Sequence, residues 1–195
     1  MGRHWLHIAV ASAMAVVAAV AGVLAGGAAW RAELPRNFGV VQKDALYRSG
    51  QPTGWHWNTL IEDYRIRTVI DLRQPEPDAP WSAEQDRLCR QRGLKLVHIP
   101  LGSAGARDAP TPREWQTFLD VVRDPSNWPV LVHCEVGTAR TGVMVGGYRI
   151  AVQGWDFDAT LHEARERYFN DETHPEYVEF WKDLAKARTT RPSGG

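Results

Sequence analysis

The sequence predicts an α/β domain with a mostly parallel central sheet flanked by helices. Two short apolar runs, residues 68–72 and 129–134, have the length and composition of buried strands. Longer segments with helical periodicity lie between and after them, and turn-forming Gly and Pro residues mark the boundaries. Strands that alternate with helices favour a parallel sheet, in which a ligand site forms beyond the carboxyl ends of the strands.

Each predicted element has a local reason. Proline residues 75, 77 and 80 interrupt the chain before the second helix, which Gly93 ends. Thr111, Pro112 and Glu114 form a capping box at the start of the third helix. The predicted order is a strand or hairpin at 40–48, a helix at 55–64, a strand at 68–72, a helix at 82–92, a strand at 95–101, a flexible loop at 102–110, a helix from 111, a strand at 129–134, and helices at 140–153, 156–169 and 175–188.

One turn holds most of the chemistry. An apolar strand ends at His133 and Cys134, five residues follow, and Arg140, Thr141 and Gly142 begin the next helix. Backbone N–H groups in such a turn point inward and the helix dipole adds positive potential, so the turn is suited to binding a phosphate. Arg140 offers a planar fork for two phosphate oxygens. The same field favours the thiolate form of Cys134, which is the nucleophilic form.

This turn resembles the signature loop of the cysteine-dependent protein tyrosine and dual-specificity phosphatases. Segments 46–52 and 147–155 are similar to a bacterial branch of that family, and with strand 68–73 the resemblance covers about residues 40–185. A chance match of this loop has odds on the order of one in a million per chain. The resemblance implies a dual-specificity-phosphatase-like fold. It also implies a phosphoric monoester hydrolase that uses a cysteinyl-phosphate intermediate and no metal or other cofactor.

The resemblance also implies a role for each residue of the loop. Cys134 is expected to attack phosphorus while Arg140 and the loop amides stabilise the charge on the equatorial oxygens. His133 is expected to position the loop, not to transfer a proton. Thr141 is expected to donate its hydroxyl to the departing sulfur. The phosphate-binding residues are then Glu135, Val136, Gly137, Thr138, Ala139 and Arg140.

The family supplies the leaving-group proton from an Asp on a mobile loop. Asp108 is the expected acid, because it lies in a glycine-containing loop that follows a strand. The sequence lacks the family's Trp-Pro-Asp triplet. The alternative is therefore Asp71, which ends a strand on the same edge, although its position beside Arg73 also fits a structural ion pair. Glu76 and Asp78 are more remote alternatives.

The loop sequence also bears on the substrate. Phosphoinositide phosphatases of this family often carry lysines in the loop, whereas this loop has none and contains Glu135. A multiply phosphorylated lipid headgroup or an inositol pyrophosphate therefore matches it poorly. The expected substrate is a phosphorylated protein, phosphotyrosine first, or a small phosphomonoester.

The first 30 residues are predicted to be a transmembrane anchor or a signal segment. Residues 8–30 are 23 residues without a charge, which is long enough to span a bilayer. Gly27 and Ala29 also fit a cleavage site before Trp30. The chain is therefore expected to be a single-pass membrane protein or an exported one. Its catalytic domain is expected outside the cytoplasm. A location on the cytoplasmic face of the membrane is the alternative. The domain itself is assigned to residues 40–188, between a linker at 31–39 and a flexible tail at 189–195.

Composition limits the other classes of function. The formal net charge is zero, which argues against a nucleic-acid partner. No Cys/His spacing predicts a metal site, and Cys89 is expected to be a buried helix thiol. Two rival functions stay open, a rhodanese-like sulfurtransferase and a membrane-anchored, non-catalytic phosphate-binding module.

Overall fold

The helices and strands follow one another in the predicted order. The computed structural model describes residues 34–102 and 109–190. The strands in this part of the chain are β1 (Gly39–Gln42), β2 (Leu46–Ser49), β3 (Thr68–Asp71), β4 (Lys95–His98) and β5 (Val130–His133). The helices are α1 (His56–Glu62), α2 (Pro80–Arg92), α3 (Pro112–Arg123), α4 (Ala139–Ala151), α5 (Phe157–Glu166) and α6 (Pro175–Thr190).

The strands form one sheet in the order β1-β2-β5-β3-β4. Only the β1–β2 hairpin is antiparallel, and the other three pairs are parallel. The predicted class, α/β with a mostly parallel sheet, is confirmed. In the register of the two central strands, Asp71 of β3 lies beside His133 of β5. The carboxyl ends of β3 and β5 therefore lie side by side, and Cys134 is the first residue after β5.

The sheet separates two apolar cores. Side chains alternate between the faces of a strand, so neighbouring residues of β5 enter different cores. Val130 and Val132 pack into the larger core with α3, α4, α5 and α6. Leu131 packs into the smaller core with Trp57 of α1 and Cys89 of α2. The central strands β3 and β5 are therefore buried on both faces, which explains their largely apolar sequences.

Several element boundaries differ from the prediction. Helix α2 begins at Pro80 and not at residue 82, because proline is tolerated at the first helical position. Strand β4 ends at His98, since Pro100 has no N–H to continue a ladder. Helix α6 continues to Thr190, beyond the predicted end at residue 188.

The predicted helix signals on α2 and α3 are confirmed. The Thr111 hydroxyl accepts the Glu114 N–H at 3.3 Å, and the Glu114 carboxylate accepts the Thr111 N–H at 2.7 Å. Gly93 caps α2 with φ 67°, in the left-handed region that glycine adopts without a steric penalty.

The predicted N-terminal anchor or signal segment, residues 1–30, lies outside the described residues. Across residues 34–102 and 109–190, none of the helices has the length and apolar character needed to cross a bilayer.

Candidate active site

The residues that follow β5 form a short loop that ends at the first residue of α4. Cys134 comes directly after the strand, and α4 begins at Ala139. The Gly137 N–H donates a hydrogen bond to Cys134 Sγ at 3.3 Å. The backbone N–H and the nearby helix amino terminus both direct positive potential toward the sulfur. The predicted strand-loop-helix setting of the thiol is thus present.

Glycine at position 137 is required by the loop geometry. Its φ is 81°, which other residues rarely adopt. A Cβ at this position would lie 2.5 Å from the Gly50 nitrogen. The loop therefore packs directly against the backbone of the turn that follows β2.

The segment around β2 supports the loop through several further contacts. The Arg48 guanidinium donates to the Gly137 carbonyl, and the Gln51 N–H donates to the Glu135 carbonyl at 3.0 Å. Asn37 donates to the Val136 carbonyl at 3.3 Å. The carbonyl groups of Glu135, Val136 and Gly137 thus accept hydrogen bonds from residues 37–51, which fixes the conformation of the loop.

Arg48 also contributes charge. Its side chain is only 3% exposed, and burial lowers the pKa of the guanidinium to about 10, so it stays cationic at neutral pH. It interacts electrostatically with Cys134. A role for this cation was not predicted from the sequence. The available signal was the similarity of segment 46–52 to the bacterial branch of the family.

Arg140 lies in the first turn of α4. Its guanidinium is partly exposed and lies 3.7 Å from the carboxylate of Glu135, which is 62% exposed. An exposed pair of this kind is weak, because water screens it. An arriving phosphate dianion therefore competes readily with Glu135 for the guanidinium.

His133 lies behind the loop and is fully buried. Its Nδ1 is 3.3 Å from the Cys134 carbonyl oxygen and 4.0 Å from Asp71 Oδ1. Burial lowers the pKa of His133, and the Asp71 carboxylate opposes that shift. The ring is therefore neutral at neutral pH and donates from Nδ1 to the Cys134 carbonyl. This placement fits the expected positioning role.

Thr141 is also fully buried. Its hydroxyl donates to the Ser49 carbonyl at 3.4 Å. The Thr141 hydroxyl would therefore have to rotate away from the Ser49 carbonyl before it could donate to the Cys134 sulfur, as expected from the sequence. In the structure, the side chain instead ties α4 to the end of β2.

The two main candidates for the acid have different surroundings. Asp108 lies outside the described residues. Asp71 is 1% exposed and accepts hydrogen bonds from the Arg73 N–H at 2.9 Å and the Gln85 side chain at 2.7 Å. A carboxylate held in this way has no open path to a substrate oxygen, so Asp71 is poorly placed as an acid.

The expected Asp71–Arg73 ion pair is replaced by other contacts. The Arg73 guanidinium lies 3.5 Å from Glu76 and stacks 3.4 Å above the Trp81 ring. Glu76, a more remote candidate for the acid, therefore pairs with Arg73. Asp78, the other remote candidate, is exposed on the loop before α2. Among residues 34–102 and 109–190, no group of three or more His, Cys, Asp or Glu side chains is arranged to hold a metal ion.

The chain is similar in sequence and fold to known phosphatases. Residues 32–182 match the family model described as a DSP-PTPase phosphatase fused to NAD+ kinase. The inositol diphosphatase DSP3 of Arabidopsis thaliana is 36% identical over 132 residues, which are 66% of this chain and 61% of that protein. The dual specificity protein phosphatase TpbA of Pseudomonas aeruginosa is 31% identical over 131 residues, 65% of this chain and 53% of that one.

The chain thus spans less than two thirds of the length of these two relatives. The crystal structure of P. aeruginosa TpbA superposes with a TM-score of 0.59 at 26% identity, covering 80% of this chain and 92% of that chain. Both the sequence and the fold therefore point to one family.

Proposed function

Because the chain belongs to the family of DSP-PTPase phosphatases, we propose that it hydrolyses phosphoric monoesters through a cysteinyl-phosphate intermediate. The observation that carries this proposal is the position of Cys134 Sγ, which accepts the Gly137 N–H just before α4. Arg140 lies in the first turn of the same helix. A thiolate and a guanidinium at a helix amino terminus fit a phosphoryl group whose charge lies on three equatorial oxygens.

The reaction has two steps. In the first, the Cys134 thiolate attacks phosphorus, the bond to the leaving oxygen breaks, and Asp108 protonates that oxygen. In the second, water attacks phosphorus and gives a proton to Asp108, and the S–P bond breaks to return the thiolate. Arg140 and the loop amides neutralise the phosphoryl oxygens in both steps, and neither step needs a metal.

Three further residues support this chemistry without touching the substrate. His133 orients the loop through the Cys134 carbonyl. Arg48 places a buried positive charge behind the loop, which favours the thiolate. Thr141 donates to the sulfur in the second step after leaving its contact with Ser49.

We infer that the substrate is a phosphorylated protein, with phosphotyrosine preferred. Glu135 places an exposed carboxylate beside Arg140 at the loop. This charge repels neighbouring phosphates on a multiply phosphorylated ring, whereas a single phosphotyrosine places no second dianion there. The relatives are named for both kinds of substrate, inositol diphosphate for DSP3 and protein for TpbA. For this chain, the charge repulsion from Glu135 is the argument that favours the protein substrate.

The test is a comparison of kcat/KM for a phosphotyrosine peptide, a phosphoserine peptide, a phosphoinositide and an inositol pyrophosphate. We expect the phosphotyrosine peptide to be hydrolysed most efficiently. Glu135→Lys should raise the relative rate on the inositol substrates, and Glu135→Gln is the control that removes charge without reversing it. A wild-type preference for the inositol pyrophosphate would refute the substrate assignment.

The same panel separates the rival functions. A folded protein that binds phosphate esters without hydrolysing any of them would be a non-catalytic module. Transfer of sulfur from thiosulfate to cyanide without phosphatase activity would indicate a rhodanese-like enzyme. The family match favours neither rival.

We further propose that residues 8–30 bring the domain to a membrane, either as a retained anchor or as a cleaved export signal. The support is the sequence alone, a run of 23 uncharged residues after a short basic start. The domain is assigned to the extracytoplasmic side.

A further inference from the structure

A cleft of about 560 Å³ opens on the edge of the sheet opposite the catalytic loop. It lies at the amino ends of β3 and β4, which begin at Thr68 and Lys95, whereas the loop lies beyond the carboxyl ends of β3 and β5. Since parallel strands have distinct ends, the two sites are separated by the length of the strands. The cleft is therefore not part of the proposed active site.

Four cationic side chains line this cleft: Arg65, Arg67, Arg92 and Lys95. Arg92 lies 3.9 Å from Glu62 with both side chains largely exposed, and Lys95 donates to Asn127 Oδ1 at 2.9 Å. Arg65 and Arg67 are different, because neither pairs with a carboxylate of the described residues. The cleft therefore holds two guanidinium groups that no carboxylate in residues 34–102 and 109–190 neutralises.

The fold determines the backbone positions of these two arginines. Arg67 is tied into the sheet on both sides, since its N–H donates to the Pro129 carbonyl and its carbonyl accepts the Lys95 N–H, each at 2.9 Å. Ile66 between them is buried in the smaller core. Arg65 has φ 57°, a left-handed conformation that costs energy for an arginine. The fold thus fixes the backbone of both arginines at one cleft, which their side chains line.

We propose that this cleft binds a small metabolite that carries two or more phosphate groups. Arginine forks match phosphate oxygens, and the volume lies within the usual range for a small-molecule site. The partly buried side chains of Ile61 and Leu94 add an apolar wall for the organic part of the ligand. A nucleic-acid partner fits less well, because the formal net charge of the chain is zero.

The test is binding of inorganic tripolyphosphate and of ATP, without added metal, to the full chain by titration calorimetry. The protein carries Cys134→Ser and Arg140→Ala, which remove the competing anion site, so the outcome does not depend on the proposed catalytic function. In this background, Arg65→Gly and Arg67→Gln should each weaken binding about tenfold. Glycine is chosen at position 65 because it accepts the positive φ.

The control is the pair Arg113→Gln and Arg87→Gln, which removes one exposed cation from α3 and one from α2, neither of which lines the cleft. It should leave both affinities unchanged. On ligand addition, the backbone amide resonances of Gly93 and Leu94 should shift in NMR spectra. Failure of either probe to bind, equal losses in the control, or binding only to anionic vesicles or to RNA would each overturn the proposal.

Discussion

The two cysteines show how strongly a residue depends on its surroundings. Burial raises the pKa of the Cys89 thiol to about 12, so it stays protonated and unreactive at neutral pH. Cys134 is also buried, but its sulfur accepts a backbone N–H and lies near a buried arginine. Backbone hydrogen bonding and local charge, and not burial as such, distinguish the proposed nucleophile from the structural thiol.

The catalytic pair gives the first prediction. Cys134→Ser should abolish hydrolysis of p-nitrophenyl phosphate, because the hydroxyl is a far weaker nucleophile than a thiolate. Arg140→Lys should lower kcat by about 10²–10³, since an ammonium cannot bind two phosphate oxygens as a fork. Cys89→Ser is the matched control and should keep wild-type activity. Near-normal rates in either loop variant would refute the proposed mechanism.

The acid gives the second prediction. Asp108→Asn should slow hydrolysis of phosphotyrosine peptides by about 10²–10⁴ and affect activated aryl phosphates less, because their leaving oxygen needs a proton less. Asp71→Asn should chiefly lower the melting temperature, since that buried carboxylate accepts two hydrogen bonds. If Asp71→Asn shows the leaving-group dependence and Asp108→Asn does not, the acid is misassigned.

At the level of elements, local signals were well predicted and contacts between distant segments were not. The capping box at Thr111 and the glycine cap at Gly93 are written in a few adjacent residues, so the sequence indicates them directly. The bond from Arg48 to Gly137 joins residues 89 apart. Its partner is a backbone carbonyl, which leaves no pattern in the side chains around it. The support of the loop by β2 was therefore visible only in the structure.

Helices α4 and α6 also make a close contact that the periodicity of the sequence does not predict. A Cβ on Gly146 would lie 2.5 Å from the Trp181 indole of α6, whereas one on Gly142 would meet Phe169 at an ordinary 3.6 Å. The Trp181 indole N–H also donates to the Val143 carbonyl at 2.9 Å. Glycine at position 146 thus lets the two helices approach each other.

This contact gives the third prediction. Gly146→Ala should destabilise the fold by about 1–3 kcal/mol, because the buried indole has to move. Gly142→Ala is the matched control in the same helix and should be neutral or stabilising by up to about 1 kcal/mol, because alanine restricts the unfolded chain. Urea denaturation of both variants measures the difference. A stability loss in Gly142→Ala as large as that in Gly146→Ala would contradict the packing argument.

At the scale of the whole molecule, the alternation of strands and helices was enough to predict the fold class and the edge of the sheet that holds the site. The strand order was not predictable, because each strand has only four residues and its sequence does not specify which strand it pairs with. The cleft lined by Arg65, Arg67, Arg92 and Lys95 was also not predicted from the sequence. Arg65 and Arg67 lie in one segment and Arg92 and Lys95 in another, and only the fold brings the two segments to one cleft.

The N-terminal segment gives the fourth prediction. An alkaline-phosphatase reporter fused after residue 40 should be active, since it needs an oxidising compartment and we assign the domain to the exported side. A parallel fusion that lacks residues 8–30 should be inactive. An inactive reporter on membrane-bound protein would place the domain on the cytoplasmic face. Recovery of the full-length chain from the soluble cytoplasmic fraction would exclude both the anchor and the signal.

The central claim is that Cys134 becomes covalently phosphorylated during turnover, and the most direct measurement is rapid-quench mass spectrometry of the enzyme reacting with p-nitrophenyl phosphate. We predict a peptide carrying one added phosphoryl group on Cys134. The species should appear within the first turnover and be absent from Cys134→Ser. Full turnover with no phosphorylated Cys134, or with the phosphoryl group on another residue, would contradict the account.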